Sequence, residues 1–257
     1  MRKDTFAGLY LRLLGPLFFY WLGKTLLMNL AAQVLGSSDE NYMLCQTLTC
    51  LIMIPFLAIC FYLPDQRENK ESQEMGTSPG NWRRSILPAM VIALLVGTGL
   101  NNLICMSPLV AVSEGYAEAN RHFFAATFTV EMLASAVLTP IMEELLYRGI
   151  LYGRLRRTLG TRTALIGSAL VFAIMHGNLV QFLYALLMGL LFAAFLEKDR
   201  NLVIPILCHM AVNALAVCRT ELGWLQGTTD YSPLAWTLSL GLLLAGLVLE
   251  YFYLRKT

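Results

Sequence analysis

The sequence predicts an all-α, polytopic membrane protein with about eight transmembrane helices, read as one transmembrane domain over residues 1–257. Three observations predict it. Of the 257 residues, 57% are hydrophobic and only 14% are charged, where a soluble domain carries about a quarter charged. The charges cluster and leave long uncharged stretches. Lys and Arg also change in density from loop to loop, as membrane topology requires.

Eight stretches approach the roughly 20 apolar residues that a span needs. They are Leu13–Leu35, Met43–Leu63, Ser85–Ala111, Phe123–Tyr152, Thr163–Gly177, Leu179–Leu196, Leu202–Cys218 and Leu234–Leu254. Backbone groups in lipid must bond within their own segment, so the spans are expected to be helices. Arg2, Lys3 and Arg12 ahead of an apolar run resemble the start of a signal peptide. The run extends to about Leu35 without a small-residue cleavage site, which reads as a retained first span. The one long polar stretch, Pro64–Arg84, reads as a flexible linker.

With the N-terminus inside, all but three of the 19 basic residues fall on the inner side; Arg121 and Arg219 lie outside and Lys24 lies within the first span. Eight spans place both termini in the cytoplasm, and the bias follows the alternation loop by loop. The expected location is the cell membrane. A net charge of +2 gives no basis for nucleic-acid binding. The six cysteines form no CxxC pair and read as small buried residues.

Ionisable groups inside a membrane are costly and point to function. Three clusters stand out. The first is Glu143-Glu144-Leu-Leu-Tyr-Arg148, where Glu144 and Arg148 share a helix face and can pair, while Glu143 points about 100° away. The second is Phe172-Ala-Ile-Met-His176, and the third His209-Met-Ala-Val-Asn213. Counted from a turn at Leu159-Gly160, Glu143 and His176 each lie about 16 residues along antiparallel helices, hence at one depth. His209 lies at roughly 10 Å on the same side. Pro140 is expected to kink the fourth span and widen the cavity. His122 lies in an outer loop and is assigned no role.

A desolvated carboxylate can act as a general base, which suits Glu143; His176 would position the same water. His209 and Asn213 offer N–H donors for an oxyanion. The expected reaction is attack of glutamate-activated water on an amide, without a covalent intermediate. Two histidines and a glutamate also make a recognised zinc set, so Glu143, His176 and His209 are the metal-binding alternative, though the usual HExxH spacing is absent.

The three clusters, in this order, resemble the signature motifs of the CAAX-protease and bacteriocin-processing (CPBP, or Abi) family, which includes the type II CAAX prenyl endopeptidase. The motif-bearing core is about residues 123–218. The resemblance implies an all-helical intramembrane peptidase fold with a cavity open to the cytosol. It implies Glu143 as water activator, His176, His209 and Asn213 as catalytic partners, and Glu144, Arg148 and Phe172 as supporting residues. The expected partners are the bilayer and a peptide or membrane-tethered protein substrate. Zinc is the possible cofactor; oligomeric state is left open. Two other classes compete: a non-catalytic immunity or scaffold protein, and a transporter that uses Glu143 and Arg148. The internal repeats common in transporters are not evident.

Overall fold

The structure is a computed structural model that describes residues 6–72 and 82–255. Every regular element among them is helical. Helix α1 (Phe6–Leu35) is followed by α2 (Asp39–Leu57), which Ser38 caps by accepting the Asn41 amide. A π-helical turn, Ala58–Tyr62, carries α2 directly into α3 (Leu63–Ser72). The first part of the expected linker is therefore helix; residues 73–81 lie outside the described residues. Next come α4 (Arg83–Cys105), the single turn α5 (Leu109–Val112) and the short α6 (Tyr116–Phe123).

The motif-bearing helix runs from Phe128 to Leu159 as one irregular rod. It comprises α7 (Phe128–Glu131), a π-helical stretch over Met132–Leu138, α8 (Thr139–Glu144), a second π-helical stretch over Leu145–Tyr152, and α9 (Gly153–Leu159). Gly160 turns the chain at φ +84, as the expected Leu159-Gly160 turn required. Then follow α10 (Thr161–Ile174), α11 (Leu179–Asp199), α12 (Val203–Leu222) and α13 (Pro233–Arg255).

Each expected apolar stretch has its helix, but the expected count of eight spans is too high. Among the described residues, five helices are long and apolar enough to cross a membrane, or six if α6 and the motif-bearing rod, bent by 110°, count as one span. The deficit falls on two elements. Helix α10 has 14 residues, about 21 Å against a hydrocarbon core of about 30 Å. Helix α1 is long enough, but Arg12, Pro16, Lys24, Asn29 and Gln33 dilute its apolar character. The sharp bend also lies between Phe123 and Phe128, not at the expected kink site, Pro140, which occupies the first turn of α8.

Helices α4 and α13 form a tight pair. A Cβ at Gly99 would stand 2.7 Å from the Ser239 carbonyl and the Leu243 amide, and one at Gly246 would stand 2.6 Å from Val96. Small residues allow such approach where water offers no driving force between helices. The motif-bearing rod sits between α1 and α2 on one side and α10, α11 and α12 on the other. It buries Tyr147, Arg148 and Ile150 almost completely. The polar motif residues are thereby drawn into the centre of the bundle.

Candidate active site

Glu144 and Arg148 form the expected ion pair, 3.1 Å apart, with both side chains fully buried. Two unpaired charges in this setting would cost several kcal/mol each, so the pair needs further partners. Arg148 donates through Nη2 to the Gly189 carbonyl on α11 at 3.1 Å. Its guanidinium also lies over the Phe172 ring, 4.4 Å from the centroid. A Cβ at position 189 would come within 3.1 Å of that guanidinium; glycine keeps the carbonyl accessible.

Glu144 has a second partner that its helix spacing did not reveal. His209 Nδ1 lies 2.9 Å from Glu144 Oε1, the same oxygen that faces Arg148. With the carboxylate ionised, Nδ1 is the donor, which fixes the ring and turns Nε2 the other way. Nε2 then stands 3.8 Å from Glu143 Oε2. One imidazole thus bridges two adjacent glutamates on the motif-bearing rod. The rotation between neighbouring helical positions separates them: Glu144 is sealed in, whereas the Glu143 side chain keeps 13% exposure.

His176 does not lie within a span helix. Helix α10 ends at Ile174, and His176 sits in the turn before α11, where Gly177 adopts φ +76. Its Nδ1 is 2.8 Å from the Phe172 carbonyl, one of the free acceptors at the helix end. Asn178 caps the next helix by accepting the Gln181 amide at 2.9 Å. Irregular backbone at membrane depth is tolerated where it lines a cavity or is buried in protein. An open groove of about 320 Å³, lined by Ile174, Gly177, Asn178, Leu179 and Phe182, adjoins this turn.

Phe172 joins the two histidines. Its centroid is 4.7 Å from that of His176, 5.9 Å from that of His209 and 5.1 Å from that of Tyr147, all edge to face. Phe192 closes the other side of His209, at 5.2 Å. Glu143, Glu144, Arg148, Phe172, His176 and His209 therefore belong to one cluster. Asn213, one turn past His209 on α12, donates its side-chain amide to the Ser135 carbonyl at 2.8 Å.

Among the described residues no three His, Cys, Asp or Glu side chains converge to hold a metal ion. His176 holds Nδ1 on its own helix and His209 holds Nδ1 on Glu144, so each ring presents Nε2 to the cluster. His122, assigned no role, pairs with Asp39 at 2.8 Å and stacks on Tyr42.

The contacts that surround the cluster are not legible in the sequence. Gly189, Ser135 and Phe192 carry no chemical signal of their own. Gln46 on α2 donates to Thr139 at 3.0 Å, one turn before Glu143. Tyr20 on α1 packs against Tyr147.

Comparison with known proteins converges on the same region. Residues 125–215 match the family model of the Rce1-like type II CAAX prenyl endopeptidases. A Bacillus subtilis (strain 168) protein named "Putative membrane peptidase YdiL" is 29% identical over 86 residues, covering 34% of this chain and 35% of that protein. The alignment thus spans about a third of the relative. No solved structure matches. The stretch that holds all three motifs is therefore similar to the Rce1-like type II CAAX prenyl endopeptidases, over about a third of the chain.

Proposed function

We propose that the chain is an intramembrane endopeptidase that hydrolyses a peptide bond of a membrane-associated peptide or protein with a glutamate-activated water. The observation that carries this reading is the His209 bridge, with Nδ1 at 2.9 Å from Glu144 and Nε2 at 3.8 Å from Glu143. The second gap is too long for a direct hydrogen bond, and a water oxygen fits within reach of both groups.

Glu143 takes a proton from that water as the oxygen attacks the amide carbon. The carbonyl oxygen becomes an oxyanion. His209, in its imidazolium form, keeps Nδ1–H on Glu144 and donates Nε2–H to that oxyanion. The C–N bond then breaks and the proton on Glu143 passes to the leaving amine. Atoms balance and no covalent enzyme intermediate forms. Arg148 and Glu144 hold the histidine rather than touch the substrate. His176 borders the same space across Phe172 and positions the water. Asn213 spends one amide hydrogen on Ser135 and has a second to offer the oxyanion.

The test compares peptides in cells that make the wild-type protein with those in cells that make Glu143→Gln at equal membrane abundance. Products present only with the wild type, and restored by its re-expression, are expected. Identical peptidomes would refute the peptidase reading and favour a binding or immunity role. The cytoplasmic placement of both termini is tested separately by cysteine accessibility at added N- and C-terminal tags.

A further inference from the structure

We propose that Lys24 forms a carboxylate-binding subsite in the pocket wall, where its ammonium holds an anionic group of the peptide substrate beside Glu143.

Lys24 lies in the middle of α1, outside the motif-bearing region. The register of α1 against the motif-bearing rod places it. Arg154 donates to the Arg12 carbonyl at one level, and Tyr20 meets Tyr147 ring to ring at the next, at 6.3 Å. The two segments therefore run antiparallel, with residue numbers rising on one and falling on the other. One further turn along each leads from Tyr20 to Lys24 and from Tyr147 to Glu143. Both steps keep the same helix face, and Tyr20 is buried against the core. Lys24 and Glu143 thus face one gap at one depth. The charge of Lys24 reaches Cys50 on α2 and His176, and that of Glu143 reaches Tyr20.

Lys24 is only partly exposed and has no carboxylate within ion-pair distance among the described residues; its one close partner is the Tyr20 ring at 5.9 Å. Snorkelling does not rescue it. It lies about 16 Å from the Leu35 end of α1 and about 27 Å from Phe6, well beyond the roughly 6 Å reach of a lysine stem. Gly23 also packs α1 hard against α2, where a Cβ would meet Met53 Sδ at 2.8 Å. A cation held at this depth with no ion-pair partner among the described residues calls for an anion. Glu144 is already engaged by Arg148 and His209, and a direct Lys24–Glu143 pair would quench the base. The peptide itself is the remaining source of negative charge, as a C-terminal carboxylate or an Asp or Glu side chain.

The inference rests on the peptidase reading for the identity of the ligand, and its test reads binding rather than cleavage. The full chain carrying Glu143→Gln is immobilised in phosphatidylcholine nanodiscs. It is offered a random decapeptide pool made in two forms, with free C-termini and as C-terminal carboxamides. Retained peptides are quantified by mass spectrometry. Carboxylate-bearing peptides are expected to be enriched about tenfold over amidated, acid-free ones. Enrichment of acid-free peptides with free C-termini identifies a terminal carboxylate; enrichment of amidated acidic peptides identifies a side chain. Adding Lys24→Met abolishes the preference and Lys24→Arg keeps it, with thermal unfolding of each variant checking the fold. Equal enrichment in the Lys24→Met protein, or none in the Glu143→Gln parent, overturns the proposal. A protein that selects carboxylates yet cuts nothing in cells would sink the peptidase reading and leave the subsite standing.

Discussion

Asn213 donates its side-chain amide to the Ser135 carbonyl across 2.8 Å, and Pro140 explains why that carbonyl is available. Over Met132–Leu138 the rod is π-helical, and the Thr139 amide bonds back five residues to Ala134. By the same spacing the Ser135 carbonyl looks to residue 140, a proline without an N–H. The acceptor is left open about two turns ahead of Glu143, and α12 fills it from the side. Asn213 thus ties the helix that carries His209 to the one that carries both glutamates.

That tie predicts a coupling. Asn213→Ala, which orphans a half-buried carbonyl, is expected to lower unfolding stability by about 1–3 kcal/mol. Asn213→Asp should lose the same bond, since an ionised carboxylate donates nothing. Pro140→Ala supplies an N–H at position 140, so Asn213→Ala should cost about 1 kcal/mol less in that background. Thermal unfolding of the four proteins in one detergent completes the cycle. Strict additivity would show that Pro140 does not govern the contact.

The adjacent glutamates are expected to fail in different ways. Among the described residues Glu143 makes no polar contact shorter than the 3.8 Å approach to His209, so Glu143→Gln should abolish cleavage while costing less than about 1 kcal/mol of stability. Glu144→Ala leaves the Arg148 guanidinium buried without its counter-charge. Removing one partner of such a pair costs about 3–5 kcal/mol, and His209 loses its anchor as well. Purification yield and unfolding temperature should fall for Glu144→Ala and hold for Glu143→Gln. The opposite ranking would reverse the assigned roles.

Much of this was legible in the sequence because intramembrane charge is expensive enough to mark itself. The Glu144–Arg148 pair follows from helical spacing alone, and the Gly160 turn put Glu143 and His176 on facing segments. The rest depends on rotation and register, which no local pattern encodes. His209 reaches Glu144 as well as Glu143 because α12 presents it from a third direction. His176 left its expected helix because Gly177 at φ +76 ends α10 early. The span count was too high because a 14-residue helix and a diluted 30-residue helix both looked like crossings in an apolar background. Gly189 and Ser135 act through backbone carbonyls, which side-chain identity cannot announce.

Metal removal offers a test of the donor arrangement. His176 and His209 each hold Nδ1 on a protein oxygen, which leaves Nε2 of each free, but no third ligand closes with them among the described residues. Protein stripped by chelator and returned to metal-free buffer is therefore expected to keep its cleavage rate. Stoichiometric zinc in purified protein, lost together with activity and restored by re-addition, would show that the site gathers Glu143, His176 and His209 around an ion.

Phe172 gives the sharpest prediction, because it touches almost every polar group of the cluster and carries none of the chemistry. Its ring packs edge-on against His176, His209 and Tyr147 and lies under Arg148. Phe172→Leu keeps an apolar side chain of similar bulk, so the fold should survive with a cost of at most a few kcal/mol. What leucine cannot supply is a flat wall that fixes two imidazoles relative to each other, or a π-face for a buried guanidinium, worth up to about 2 kcal/mol when desolvated. A displacement of about 1 Å in a positioned group can cost about a hundredfold in rate. The expected result is a folded protein whose kcat falls ten- to a hundredfold with little change in KM, and which Phe172→Tyr partly restores. A variant with wild-type kcat would mean that His176 and His209 are held by their hydrogen bonds to Phe172 O and Glu144 alone, and that the ring is only filler.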